Sequence, residues 1–156
     1  MDRLFMSIAT GLGLGYAPFA PGTFGTMLAL PIHFLISKLP LPYYAGALVL
    51  LILLAISAAG AAEKILDQPD PPVVVCDEVV GMLVAMVAIP AHPLAWILAF
   101  GLFRLFDIAK PWPVGYLDRH LNGGLGIVLD DLAAGLYACL TLQLAWHLAM
   151  RGGLLQ

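Results

Sequence analysis

Apolar residues run along this chain in long blocks, separated by short polar or proline-rich breaks. Residues 43–62 (YYAGALVLLILLAISAAGAA) and 132–150 (LAAGLYACLTLQLAWHLAM) carry no charge. Each is close to the roughly 20 residues that a bilayer-crossing helix needs. Residues 23–37 continue apolar through Pro31, 73–89 are apolar apart from Asp77 and Glu78, and 94–110 are apolar as far as Arg104. Turns are expected at 38–42, 90–93 and 151–156. The pattern predicts an all-α, polytopic membrane protein with about five membrane-embedded helical segments. In it 73–89 and 94–110 form a hairpin, of which 79–103 either crosses twice or is re-entrant. Ahead of these, SIATGLGLGYAPFAPGTFGT (7–26) predicts a loop or broken helix, with Thr23 or Thr26 capping the helix that follows.

Composition supports this reading. The chain has 156 residues, is 62% hydrophobic and only 11% charged, against about 25% charged in soluble domains. A soluble domain of this size could not bury so much apolar surface. The length and the absence of repeats predict one domain over 1–156. The N-terminus lacks the features of a cleaved signal peptide, because Asp2 offsets Arg3 and glycines break the apolar run. With five segments, Arg3, Lys64, Arg104, Lys110 and Arg119 share one side with every acidic residue, and only Lys38 and Arg151 lie on the other. By the positive-inside rule the first side is cytoplasmic.

The charges that remain are concentrated. The stretch RLFDIAKPWPVGYLDRHLNGGLGIVLDD (104–131) holds three of the seven basic and four of the ten acidic residues. Asp77 and Glu78 interrupt an apolar segment, where ionised groups are costly and default to a functional reading; the alternative is that they end the span at the water interface. Arg104, Asp107 and Lys110, spaced i, i+3, i+6, predict one broad helix face; alternatively the two cations snorkel from a helix end. Asp130 and Asp131 open the last apolar segment, where acids also suit a helix N-terminus. Together with Asp107 these are five carboxylates able to converge on a hard divalent cation such as Mg²⁺. Asp118 is a weaker candidate, and Glu63, Asp67 and Asp70 read as a solvated loop.

The glycine-rich stretches 11–26 and 122–129 match neither a dinucleotide fingerprint nor a P-loop. They suit either a backbone cradle for an anion or close helix packing. Thr23 adds a hydroxyl able to reach a phosphate. Cys76 and Cys139 read as buried free thiols, and the four histidines do not cluster. Arg104, Lys110 and Arg119 opposite the carboxylates suit phosphate chemistry assisted by a metal.

Four blocks carry a family resemblance: APGTFGT (20–26), CDEVVG (76–81), RLFDIAKPWPVGYLDR (104–119) and GGLGIVLDDLAAGLYA (123–138). In this order the chain resembles the phosphatidylglycerophosphatase A family. The resemblance implies a Mg²⁺-dependent phosphatase of the bacterial cytoplasmic membrane, multi-pass, with its site facing the cytoplasm. Such an enzyme removes the terminal phosphate of phosphatidylglycerophosphate to give phosphatidylglycerol; membrane lipid is its medium and nucleic acid is not a partner. The family's charged positions carry over as Asp77, Glu78, Arg104, Asp107, Lys110, Asp118, Arg119, Asp130 and Asp131. Our assignment gives Asp77, Glu78, Asp107, Asp130 and Asp131 to metal. Arg104, Lys110, Arg119 and Thr23 go to substrate, and Asp77, Glu78, Asp107 and Asp131 to catalysis, with Asp131 as proton acceptor. Two other classes compete: a small cation-coupled transporter, and a non-catalytic phospholipid-binding subunit. A transporter would spread its acids through the membrane depth. A binding subunit would need the cations but not five carboxylates.

Overall fold

The computed structural model describes residues 2–152, which fold into seven α-helices; among the described residues there is no strand. These are α1 (Asp2–Ala9), α2 (Pro21–Ile36), α3 (Leu41–Leu66), α4 (Cys76–Ala85), α5 (Pro93–Ala109), α6 (Val114–His120) and α7 (Gly123–Arg151), with a 3-10 turn at Leu14–Tyr16. Residues 153–156 of the expected outer turn lie outside the described residues.

Each expected apolar segment contains a helix, but the lengths differ from expectation. Among the described residues, only α3 and α7 are helices long and apolar enough to cross a bilayer. In α3 only 22% of the most apolar window is buried inside the protein, so α3 is not the core helix of a soluble fold. Val49, Leu50, Leu53 and Leu54 face outward from it. The segment expected over 73–89 forms a helix of only 10 residues, about 15 Å long at 1.5 Å per residue. Val73–Val75 lead into it without helical structure, and the chain turns at Met86–Ala88, with Ala88 at φ 54°. Almost every residue of α4 is buried, so it is the central strut of the bundle. The last helix begins at Gly123 rather than 132.

The helix starts also differ. Ala20 precedes α2 and Pro21 occupies its first turn, where a missing N–H costs nothing. Thr26 lies inside the helix and donates to the Gly22 carbonyl (2.8 Å), so neither threonine caps it.

Close crossings position the helices. α4 packs against α2, α3, α5 and α7. A Cβ on Gly135 of α7 would strike the Gly81 carbonyl of α4, and one on Gly81 would meet Asp131 O at 2.7 Å and the Phe103 ring at 2.7 Å. Gly124 of α7 lies equally tight against Ile56 and Gly60 of α3. For the glycines of 122–129 the packing alternative therefore describes Gly124, and Gly126 sits against Leu121. These crossings, with Cys76 Sγ on Ala55 O and Tyr44 Oη on Leu83 O, set the directions. α2, α4 and α7 begin at one end of the bundle, where α3 and α5 finish. The core is built on Phe103, Met82, Leu83 and Leu142, all essentially inaccessible.

Gly124→Ala should therefore destabilise the protein by about 2 kcal/mol, the scale of overpacking a tight contact, read as a lower Tm in detergent. Gly46→Ala in α3, with nothing within 4 Å of the new methyl, should leave Tm unchanged or raise it slightly, since alanine is the better helix former.

Candidate active site

The end of the bundle where α2, α4 and α7 begin holds a polar cavity of about 290 Å³. Its walls include Asp77 and Glu78 from the first turn of α4, Asp107 from α5, Lys110 after it, and Asp130 and Asp131 of α7. All five carboxylates expected to act together line this one space. Asp77, Glu78 and Asp131 come closest, each offering a carboxylate oxygen within 4.8 Å of the other two. Asp130 and Asp131 sit two turns inside α7 and are buried, so they do not cap a helix terminus.

The geometry follows from sequence spacing. Asp77 precedes Gly81, and Asp131 precedes Gly135, by four residues, so each acid lies on the same face as its glycine and one turn before it. Where Gly81 and Gly135 let α4 and α7 touch, the two carboxylates are brought together. The spacing Asp-x-x-x-Gly is visible in both segments and is the signal that pairs them.

Cations bracket the acids differently. Arg104 Nη1 lies 2.6 Å from Asp107 Oδ2, one turn along α5, and 3.8 Å from Glu78 Oε1. Lys110 does not continue the helix face with Arg104 and Asp107. It ends α5 in the left-handed conformation, φ 44°, and turns its ammonium to Asp118 of α6 and to Asp130 Oδ2 at 3.0 Å. Burial alone would lower the Lys110 pKa, but hydrogen bonds and charge from Asp118 and Asp130 more than reverse this and hold it above the usual lysine value. Lys110 is thus a permanent cation at neutral pH.

The charge is not balanced by these pairs. Asp77 Oδ1, Glu78 Oε2, Asp130 Oδ1 and Asp131 Oδ2 are buried without a hydrogen-bond partner. Buried polar atoms are normally satisfied, and orphaned carboxylate oxygens are costly. Four such oxygens around one cavity form a donor set of hard ligands suited to a divalent cation.

Other residues take other places. Arg119 is exposed on α6 and lines an adjoining cavity of about 280 Å³ that it shares with Lys110, Trp112 and Tyr116. Thr23 lies outside the carboxylate cavity, on an apolar groove between α2 and α5. Asp70, read as part of a solvated loop, is exposed but lines the cavity rim. Gly22 is a site residue that the sequence reading passed over: a Cβ there would meet the Glu78 carboxylate and Arg104 Nη1 at 3.1 Å. Its sequence signal is the APGTFGT block, in which it directly precedes Thr23.

An all-helical protein with buried, converging carboxylates and flanking cations at one end of apolar helices has the make-up of a membrane-associated enzyme acting on an anionic group. The comparisons with known proteins are more specific. The profile described as phosphatidylglycerophosphatase A matches residues 7–146, and the chain belongs to the phosphatidylglycerophosphatase A family. It is 34% identical to phosphatidylglycerophosphatase A of Escherichia coli K12 over 94% of this chain and 88% of that protein. It is 37% identical to the Haemophilus influenzae protein of the same name, over 84% of this chain and 82% of the other. It is also 40% identical to a putative phosphatidylinositol-3-phosphatase of Bacteroides thetaiotaomicron, over 88% of this chain and 91% of the relative. No solved structure matches the chain.

With divalent cations removed by chelator, Asp131→Asn should raise stability by about 2 kcal/mol, because it replaces an unsatisfied buried carboxylate with an amide able to donate to its acidic neighbours. Thermal unfolding in detergent with EDTA measures this. An unchanged or lower Tm would mean that the carboxylate cluster is not under electrostatic strain.

Proposed function

We propose that this protein is a Mg²⁺-dependent phosphatase that hydrolyses the terminal phosphomonoester of phosphatidylglycerophosphate, releasing phosphatidylglycerol and phosphate. The observation that carries the reading is the convergence of Asp77, Glu78 and Asp131, with unpartnered oxygens, beside Arg104 and Lys110. Family membership supplies the lipid substrate class. Asp77, Glu78 and Asp131 would hold the ion, with Asp107 and Asp130 next to them. Bound there, Mg²⁺ supplies Lewis acidity to the phosphoryl oxygens and eases deprotonation of water.

The chain's own residues do the rest. Arg104, already oriented by Asp107, offers N–H donors to two phosphate oxygens in a fixed fork. Lys110 reaches the phosphate as a mobile point charge, leaving part of its contact with Asp118 and Asp130. Arg119, at the neighbouring cavity, is suited to the diester phosphate of the same head group. Asp131 takes the proton of the attacking water as the P–O bond to glycerol breaks, and the departing alkoxide is protonated from solvent. The start of α2 beside Glu78 adds a favourable helix-end field for an anion.

We place the protein in the bacterial cytoplasmic membrane with this site on the cytoplasmic face and five membrane-embedded segments. α3 and α7 cross, while α2, α4 and α5 are embedded with the buried α4 at the centre. The basic residues gathered at the cavity end support that orientation. Acids gathered at one end, with none along the apolar windows of α3, argue against a transport path through the membrane.

Purified protein should release phosphate from phosphatidylglycerophosphate with Mg²⁺ and not after chelation; activity indifferent to chelator sinks the metal assignment. Faster release from phosphatidylinositol 3-phosphate would move the substrate assignment toward the Bacteroides relative. Asp107→Asn, which frees Arg104, should lower kcat by about 100-fold while the protein still folds, and near-normal turnover would remove Asp107 from the site. In right-side-out vesicles, His92→Cys between α4 and α5 should react with an impermeant thiol reagent; reaction only after the membrane is opened would reverse the topology.

A further inference from the structure

α2 and α5 both pack on α4, and between them lies an apolar groove of about 570 Å³. Thr23, Met27 and Leu30 line it from α2, and Trp96, Ile97 and Phe100 from α5. Met27 and Ile97 are more than half exposed, so the groove opens on the outside of the bundle. Two continuities join it to the carboxylate cavity. Gly22 lines the cavity and Thr23, the next residue, lines the groove. On α5, Phe100 precedes Arg104 by four residues, one turn along the same face. Both helices therefore carry a stripe that is polar at the cavity end and apolar beyond it.

We propose that this groove seats one acyl chain of the phospholipid whose phosphate enters the carboxylate cavity. The inference rests on the phosphatase reading above. Thr23 then marks the junction, where its hydroxyl can meet the glycerol ester region rather than the terminal phosphate. From Thr23 to Leu30 the groove follows about 10 Å of helix at 1.5 Å per residue, enough to direct the upper part of a chain. In a bilayer the chain is already in apolar surroundings, so docking adds little affinity. Its effect is positional: it fixes the lipid's rotation and depth relative to Arg104 and the carboxylates.

Two measurements test this. In lipid nanodiscs, phosphatidylglycerol with a diazirine in one acyl chain should photolabel Met27, Leu30, Ile97 or Phe100 in preference to Leu50 and Leu53 on the outward face of α3. Labelling spread evenly over these residues overturns the proposal. Separately, Ile97→Trp and Met27→Trp fill the groove from opposite walls. Each should lower the ratio of rates on diacyl phosphatidylglycerophosphate and on its deacylated head group by about tenfold. An unchanged ratio, including equal losses on both substrates, overturns the groove. If the groove is labelled but neither substrate yields phosphate, the groove stands and the phosphatase reading fails.

Discussion

The contact between α4 and α7 at Gly81 and Gly135 is the constraint on which the site depends. A side chain at either glycine would meet backbone of the partner helix, so the two axes approach as closely as helices can. That approach carries Asp77 and Asp131, one turn earlier on the same faces, to within ligand distance of each other. Like charges in an apolar bundle repel strongly, and burial deprives them of water. The helix packing holds the carboxylates together, and it is stabilised by the core around Phe103, Met82 and Leu142. Phe103 also touches the Gly81 position, so α5 is keyed to the same crossing and delivers Arg104 and Asp107 beside it.

Much of this was legible in the chain. The uncharged blocks 43–62 and 132–150 announced α3 and α7, and the isolation of Asp77, Glu78 and residues 104–131 in an oily sequence announced the site. The boundaries were less visible. Hydropathy cannot separate a ten-residue buried helix from a crossing one when equally apolar non-helical residues flank it, which is why 73–89 read as one span. At the last helix, the uncharged block that predicts it begins only at 132, nine residues after the helix itself starts. Helix propensity disfavours glycine, but tertiary contact with Gly60 and Ile56 requires it at 124. The consequence was chemical as well as geometric. Placed at a helix start, Asp130 and Asp131 have an ordinary capping explanation; two turns inside α7 and buried, they have none.

Thr23 and Gly22 separate two kinds of sequence signal. Thr23 carries a hydroxyl that reads as chemistry, while the glycine before it is one of several in a glycine-rich stretch. In the folded chain the reverse holds for the carboxylate cavity: the absence of a side chain at 22 leaves room for the Glu78 carboxylate and Arg104. A residue that acts by being small leaves no mark in a charge or motif count. It becomes visible only when the neighbour it accommodates is known.

The two cations at the cavity differ in how they are held, and this bears on how a phosphate can enter a site already crowded with acids. Arg104 is ion-paired within its own helix to Asp107. Lys110 has left the helix and is shared between Asp118 of α6 and Asp130 of α7, and it lines both this cavity and the one containing Arg119. Moving Lys110 toward a phosphate would release negative charge on Asp130, whose second oxygen is already unpartnered. A cation arriving with the phosphate would offset that charge. On the metal-dependent reading proposed above, anion binding would be coupled to cation binding: without metal Lys110 would be better held by its carboxylates, and with metal it would be free to serve the substrate.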